Sequence, residues 1–261
     1  MDEQFNLEKF YLKLETEWLG RNLLYLDEVD STNSFLMNRD NKINKHGTVV
    51  LAEKQSEGKG RLDRTWYSNE AENLTFSMLF LKKNILSLNP NILNLASSLV
   101  IANTIESLYF VKTNVKWPND VLVEGKKISG ILLEASYAGE TMNRLVAGIG
   151  LNVNQAYFQG NFMMEPTSIR LEVNEEIERE KLLAEILKRY EEMIDKVAFS
   201  PDAVLREWSR KCRMIGDKIE VKRGEENLYG IFDEIDSEGY LILRTRESVE
   251  RISYGDVSAV K

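Results

Sequence analysis

Lysines stand at unexpected places in the stretch "VKWPNDVLVEGKKISGILLEAS", residues 115–136. Its apolar segments are typical of buried strands, and between them lie Lys116, an Asn-Asp pair, and the adjacent Lys126 and Lys127. A hairpin turn accounts for Gly125, but it does not require a lysine at the start of the strand that follows. A nearby anion would explain such a lysine, and so would exposure to solvent.

A second segment combines glycine with positive charge. This segment, "QSEGKGRLDRTW", covers residues 55–66 and is called the glycine-rich loop below. Its two glycines allow the backbone to approach a ligand closely, and the interleaved cations suit an anion. A mobile surface loop with solvated charges is the alternative. The pattern G-x-x-x-x-G-K-[ST] of a P-loop is absent.

Two shorter motifs are open to structural and functional interpretations. The sequence "DSTN", residues 30–33, is typical of a helix N-cap, although the same polar groups can bind a small ligand. The sequence "GIGLN", residues 148–152, places two glycines in a strand. Glycine there indicates a bulge or the close passage of a ligand, and a bulge is the expectation from the motif alone.

Composition limits the chemistry and the partners of this chain. Cys212 is its single cysteine and His46 its single histidine, which excludes disulfides within the chain and zinc sites of Cys and His, and leaves little room for a catalytic triad built on histidine. We expect His46 to be solvated. The formal net charge of −8 argues against broad binding to duplex nucleic acid. The first residues are polar and no apolar run is long enough to span a bilayer, so we expect no membrane association and a cytoplasmic protein.

Apolar periodicity predicts a mixed α/β (α+β) domain over residues 1–214 and a small antiparallel barrel over 215–261. Predicted strands cover 23–26, 47–55, 73–81, two parts of 115–136, and 144–154. Predicted helices cover 5–14, 35–39, 91–110, 178–197 and 201–212. After about residue 214 the apolar runs become short and alternate, which favours strands over helices.

The motifs occur in a diagnostic order when taken together. They are DSTN, A-E-x-Q-x-x-G-x-G-R-x-x-R-x-W, KWPND, G-K-K-I-S-G-I-L-x-E and GIGxN, within about residues 25–155. This order closely resembles the biotin protein ligases, or biotin–[acetyl-CoA-carboxylase] ligases. The resemblance implies a class II aminoacyl-tRNA-synthetase-like catalytic domain followed by an SH3-like barrel. It also implies two reactions, which are formation of biotinoyl-5′-AMP from biotin and ATP, and transfer of biotin to a lysine of a biotin carboxyl carrier protein domain.

The resemblance also implies roles for individual residues. Those implied in catalysis are Lys127, Arg61 and Asp120. Those implied in binding biotin are Ser31, Thr32, Asn33, Gln55, Lys59, Gly60, Arg61, Lys127 and Gly130. Those implied in binding ATP are Arg61, Arg64, Trp66, Asn119, Lys127 and Asn152. Mg²⁺ is expected to arrive with ATP, and Asp120 is the side chain that could contact it. Lys126 is expected to be solvated, and Lys116 to support its turn.

Two positions depart from the family pattern. Lys59 stands where many members carry arginine, and lysine keeps the charge but loses the bidentate fork. Asp63 lies between two arginines and could pair with either. We also expect the glycine-rich loop to be open until anionic ligands neutralise its cations.

The first motif begins at residue 30, so we expect a member without a DNA-binding domain ahead of the catalytic one. The sequence leaves a homodimer open. Two alternatives to biotin ligation remain, namely a lipoate or octanoate ligase or transferase of the same superfamily, and a non-catalytic biotin sensor. The retained lysine and arginine motifs argue against the sensor.

Overall fold

The computed structural model describes residues 4–62 and 64–260. Within them, seven strands form one sheet in the order β1-β2-β3-β7-β6-β5-β4, and five strands form a second sheet in the order β11-β10-β9-β8-β12. The strands of the first sheet are β1 Asn22–Val29, β2 Thr48–Gln55, β3 Leu74–Phe80, β4 Asn114–Lys116, β5 Asp120–Val123, β6 Lys126–Ala138 and β7 Thr141–Leu151. Apart from the parallel pair β1 and β2, neighbouring strands in this sheet are antiparallel. The predicted fold class is therefore confirmed.

Helices enclose the main core on one face of the large sheet, and α2 packs on the opposite face. They are α1 Leu7–Lys13, α2 Thr32–Met37, α3 Lys83–Leu86, α4 Pro90–Tyr109, α5 Ile169–Val173, α6 Arg179–Phe199 and α7 Pro201–Lys211. The helix α4 begins where Asn89 caps the amide of Asn91 and ends at Phe110, whose φ is 58°. Among the described residues, α4 alone is long and apolar enough to cross a membrane, but 67% of its most apolar window is buried inside the protein. It is the central core helix.

Three local predictions differ from the structure. The stretch 115–136 forms three strands instead of two, because β4 pairs with β5 across the turn that contains the cis Trp117–Pro118 bond. The short helices α3 and α5 were not predicted, since four or five residues give no helical period. The prediction of a solvated His46 is wrong. Its ring stacks on Trp18 with centroids 4.4 Å apart, and burial lowers its pKa to about 4.

The register of the large sheet aligns residues that are distant in sequence. Lys116 pairs with Asp120, Asp120 with Gly130, Gly130 with Gly150, and Gly150 with Thr75. We call these five residues the central row. Paired residues in neighbouring strands share a face of the sheet. The row therefore places two charged side chains, two positions without a side chain and then Thr75 on the same face.

A second row lies two residues further along the strands, on the same face. It pairs Leu132 with Gly148 and Gly148 with Ser77. Gly130, Gly148 and Gly150 in two neighbouring strands therefore leave room on this face, which the side chains of Asn33 and Trp66 occupy.

The second sheet is formed by β8 Lys218–Arg223, β9 Glu226–Ile235, β10 Leu241–Arg244, β11 Val249–Ile252 and β12 Asp256–Ala259. Its buried residues, such as Phe232 and Leu243, belong to the same apolar cluster as the core of the large sheet. The indole of Trp117 donates to the carbonyl of Gly239 at 3.2 Å. This contact attaches the second sheet next to the turn that follows Lys116. The boundary at residues 214 and 215 stays a prediction.

Candidate active site

A cavity lies over the central row, between the N-terminus of α2, the glycine-rich loop and β12. The predicted residues that line it are Ser31, Thr32, Asn33, Gln55, Lys59, Gly60, Arg61, Arg64, Trp66, Asn119, Asp120, Lys127 and Gly130. The structure thus brings together segments that are up to about a hundred residues apart in sequence.

Asn152 is the one predicted site residue that does not line this cavity. It is buried, its side chain donates to the carbonyl of Thr167 at 2.9 Å, and its amide donates to Ile128 at 2.9 Å. Asn152 therefore fixes the segment that follows β7 to the start of β6. Any effect on a nucleotide would pass through that segment.

Polar groups at the end of the cavity near α2 are linked by hydrogen bonds. The Gln55 side-chain oxygen accepts from the amide of Thr32 at 2.8 Å and from its hydroxyl at 3.0 Å. The Ser77 hydroxyl lies 2.7 Å from the Thr32 hydroxyl oxygen and 2.6 Å from Asn33 Oδ1. Asn33 Nδ2 donates to Leu132 O and to a carboxylate oxygen of Glu134. Ser31 also caps α2, which confirms the N-cap interpretation of DSTN, and ligand binding by the same residues stays a prediction.

The glycines of "GIGLN" make room for side chains, and the prediction of a bulge is wrong. The pairing of β6 with β7 is regular at Gly148 and Gly150, and its irregularity lies at residues 136–137. A Cβ on Gly148 would lie 2.1 Å from Asn33 Oδ1, and a Cβ on Gly150 would lie 2.2 Å from the Trp66 ring. Both distances are far below van der Waals contact, so each position requires glycine.

The glycine-rich loop is folded over the cavity, and its opening in the absence of anionic ligands stays a prediction. Its own backbone holds it, because Gly60 N donates to Arg64 O at 2.6 Å and Trp66 N donates to Gly58 O at 2.9 Å. A Cβ on Gly58 would lie 2.2 Å from Trp66 O, which explains this glycine. The Asp63 prediction lies outside the described residues.

An irregular pairing of β5 with β6 directs the side chain of Lys127 into the cavity. The register between β5 and β6 shifts between Val121 and Leu122, and such bulges redirect side chains near active sites. Lys127 Nζ lies 2.6 Å from Asp120 Oδ1 and 5.6 Å from the centroid of the Trp66 ring. An ammonium at that distance from an indole face is attracted to it, so the lysine is held from two sides.

Five cations and two carboxylates line the cavity. The cations are Lys59, Arg61, Arg64, Lys116 and Lys127, and the carboxylates are Asp120 and Asp256. Burial lowers the pKa of Arg61 and of Lys116. Burial disfavours ionised Asp256, yet the hydrogen bond from Arg64 and the charges of the nearby cations hold the pKa of Asp256 below its ordinary value. The charge distribution of this cavity suits a ligand with several negative charges.

Asp256 and Lys116 are cavity residues that sequence reasoning missed. Asp256 begins β12 in the second sheet and forms an ion pair with Arg64 of the glycine-rich loop. It is 192 residues from Arg64 and belongs to no motif, so no local signal could identify it. For Lys116 a signal exists, because a strand that pairs with β5 places it opposite Asp120.

Replacing Asp256 by asparagine is expected to loosen the glycine-rich loop with little effect on overall stability. Solvent screens an ion pair whose Arg64 partner is 42% exposed, and such pairs contribute about 0–1 kcal/mol. The expected change in Tm is therefore below about 4 °C. Limited trypsin digestion at the loop arginines should become several-fold faster.

Asp233→Asn is the matched control, because Asp233 pairs with Arg244 at 2.9 Å within the second sheet. It should leave loop cleavage unchanged. Equal cleavage of the Asp256 variant and the unmodified protein would show that this ion pair does not hold the loop.

Comparison with known proteins places this architecture in a family. Residues 25–152 match the model of the "Biotin/lipoate A/B protein ligase family", and residues 214–260 match the "Biotin protein ligase C terminal domain". The two matches contain the cavity residues from both sheets.

Individual relatives agree with these matches. The bifunctional ligase/repressor BirA of Bacillus spizizenii is 32% identical over 250 residues, which are 94% of this chain and 76% of that protein. The biotin–[acetyl-CoA-carboxylase] ligase of Paracoccus denitrificans is 31% identical over 203 residues, covering 75% of this chain and 83% of that protein.

Among solved structures, the biotin protein ligase from Aquifex aeolicus in complex with biotin and ATP superposes with a TM-score of 0.79. It is 30% identical in sequence, and the match covers 91% of this chain and 98% of that one. On the sequence matches, the shared fold and the cationic cavity, the chain belongs to the biotin protein ligase family.

Proposed function

We propose that this protein is an ATP-dependent biotin protein ligase that forms biotinoyl-5′-AMP and transfers biotin to a lysine of a carrier domain. The observation that carries the proposal is the cavity itself, in which five cations lie beside an uncharged part bordered by glycine backbone, Asn33 and Trp66. Biotin has an uncharged ring system and a carboxylate at the end of an apolar chain, and ATP has a triphosphate. The two ends of the cavity match these two chemistries.

In the proposed binding mode, the biotin rings lie between Asn33, which packs on Gly148, and Trp66, which packs on Gly150. The hydrogen-bonding groups of Ser31, Thr32, Asn33 and Gln55 face the ureido ring. The Trp66 ring lies against Gly130 and Gly150 and forms an apolar wall for the rest of biotin. Apolar walls with a few convergent polar groups are the usual composition of small-molecule sites.

In the first reaction a carboxylate oxygen of biotin attacks the α-phosphorus of ATP. The bond from that phosphorus to the β-phosphate oxygen breaks, and the electron pair leaves with pyrophosphate. Two anions must approach each other, so we propose that Lys127 and Arg61 offset the repulsion and the charge of the transition state. No protein nucleophile is required, which agrees with a cavity whose described lining contains no cysteine or histidine.

In the second reaction the amine of a carrier lysine attacks the carbonyl carbon of biotinoyl-AMP, and AMP leaves. The lysine ammonium must lose one proton to become a nucleophilic amine, and the nitrogen loses a second proton when the amide forms. Asp120 borders the cavity beside Lys127, and we propose that it orients this amine. The carrier domain itself, a cytoplasmic location and a homodimer stay predictions.

Mg²⁺ is expected to enter bound to ATP. It usually keeps several waters and binds through phosphates and one or two carboxylates. Asp120 and Asp256 are the cavity carboxylates that could contact it, and among the described residues no group of three Asp, Glu, His or Cys side chains forms a metal site. When bound, the ion would neutralise phosphate charge.

Measurement of pyrophosphate release from biotin and ATP tests the proposal directly. Release that depends on biotin supports it, and a folded protein that binds biotin without releasing pyrophosphate would be a sensor. The same assay with lipoate in place of biotin tests the alternative of a lipoate ligase. The first family match alone leaves this alternative open, because the name of that family includes both biotin and lipoate. The second match is specific to biotin protein ligases.

Arg61→Gly is expected to release biotinoyl-AMP before a carrier arrives. A hydrogen bond to a charged group contributes about 1.5–3 kcal/mol, so the adenylate should dissociate roughly 10–100-fold faster. Free adenylate reacts with any exposed lysine. Biotin should therefore appear on a bystander such as serum albumin, which a streptavidin blot detects.

Leu62→Gly is the matched control, because Leu62 is an exposed neighbour in the same loop with φ of 53°, a conformation that suits glycine. It adds flexibility without removing charge. Biotin on albumin with the Leu62 variant, or none with the Arg61 variant, would contradict retention by the arginine.

A further inference from the structure

Lys116 occupies the charged end of the central row, beyond Asp120. The register of β4 with β5 places the two residues opposite each other, and Lys116 lines the cavity together with Lys127. This location differs from the expectation that Lys116 only supports its turn. Lys126, adjacent to Lys127, does not line the cavity.

The two cavity carboxylates already have cationic partners. Asp120 pairs with Lys127 and Asp256 pairs with Arg64. Among the residues that the structure describes, no carboxylate oxygen lies within 4.0 Å of the Lys116 ammonium or the Arg61 guanidinium. These two cations therefore face the cavity without a close counterion, and burial lowers the pKa of both although the charges of Asp120 and Asp256 act in the opposite direction. An anionic ligand would supply the missing counterion.

The order of residues along the row indicates which part of the ligand Lys116 meets. Thr75 and the two glycines lie at one end, Asp120 lies next with the Lys127 ammonium beside it, and Lys116 lies at the other end. In phosphoryl transfer the attacking and leaving oxygens lie roughly in line through the phosphorus. If the biotin rings meet the polar groups near α2 and the carboxylate attacks beside Lys127, the leaving group points toward Lys116.

We propose that Lys116 binds the β- and γ-phosphates of ATP and stabilises the pyrophosphate that leaves during adenylate formation. This inference rests on the proposed function of the same site. As the bond from the α-phosphorus to the bridging oxygen breaks, the electron pair moves onto that oxygen, and the ammonium offsets the added negative charge. Lys116 has no part in the second reaction, in which AMP is the leaving group.

The test separates the two parts of the site. In Lys116→Gln, adenylate formation from biotin and ATP should fall by about 10²-fold, as for loss of one preorganised donor. Inhibition by added inorganic pyrophosphate should weaken by a similar factor. Affinity for biotin and for biotinol-5′-AMP, an unreactive adenylate analogue without pyrophosphate, should change less than about twofold. Lys116→Arg, which keeps the charge, should regain most of the rate, and Lys126→Gln should behave as the unmodified protein.

Unchanged adenylate formation or unchanged pyrophosphate inhibition in Lys116→Gln would overturn the inference. Equal losses of affinity for biotin and for biotinol-5′-AMP would overturn it as well, because they would indicate that the lysine supports the fold of the site. Failure of the unmodified protein to form any adenylate would instead refute the proposed function, so the two failures are distinguishable.

Discussion

Lys127→Gln should lower the rate of biotinoyl-AMP formation by about 10²–10³-fold, the usual effect of removing one preorganised donor from a transition state. The Lys127 ammonium lies 2.6 Å from Asp120 and is held against the Trp66 ring, so little reorganisation is needed when charge develops. The loss should exceed the loss of biotin affinity, because the negative charge near the lysine is greater in the transition state than in bound biotin. Single-turnover measurement of adenylate and calorimetric titration with biotin give the two quantities.

Two further variants define the cause of that loss. Lys126→Gln removes the adjacent lysine, which does not line the cavity, and should retain the rate of the unmodified protein. Removing Lys127 also leaves the Asp120 carboxylate without its partner, a change that can be costly by itself. In Lys127→Gln combined with Asp120→Asn that cost is relieved, and the rate should still stay low. A single Lys127 variant within tenfold of the unmodified rate would remove this residue from the mechanism.

Gly148→Ala should weaken biotin binding by about 10–100-fold. The new Cβ would lie 2.1 Å from Asn33 Oδ1, and Asn33 cannot move easily because its amide is bound to Leu132 O and Glu134. Overpacking of this kind costs roughly 1–3 kcal/mol. The variant therefore either displaces Asn33 or becomes less stable. Calorimetry with biotin and thermal unfolding measure both effects.

The double variant Gly148→Ala with Asn33→Ala separates collision from general misfolding. Removing the asparagine amide relieves the contact, so Tm should recover most of its loss while biotin affinity stays low. An alanine at position 148 that binds biotin as tightly as glycine does would show that α2 tolerates displacement and that glycine is not required there.

Much of the fold could be predicted because local pattern and tertiary environment agree. The helix α6 has an apolar stripe with helical period, and its residues Leu183, Leu187 and Ile194 are buried on that face. The strand β3 shows the limit of this reasoning. Apolar and polar residues alternate in its sequence, which predicts one buried and one exposed face. Every residue of Leu74–Phe80 is nevertheless buried, because α2 covers one face and the helical core covers the other.

The rest of the site depends on contacts that no local pattern encodes. Asp256 reaches the cavity because the second sheet docks beside Trp117, a tertiary contact between distant segments. The order of the glycine-rich loop has the same origin, since its ion pair crosses to β12. Glycines at 148 and 150 were recognised as unusual, but the side chains that require them come from two other segments.

The central row also restricts where residues can be inserted into this chain. Its five members come from five strands and meet only through hydrogen-bond register, and each residue of slip turns a side chain to the opposite face. An inserted residue within β5 or β6 would therefore disassemble the catalytic group even if every apolar contact could be repacked. The turn at Glu140 lies outside this constraint, so evolutionary insertions and engineered tags should accumulate there and be excluded from the strands that carry the row.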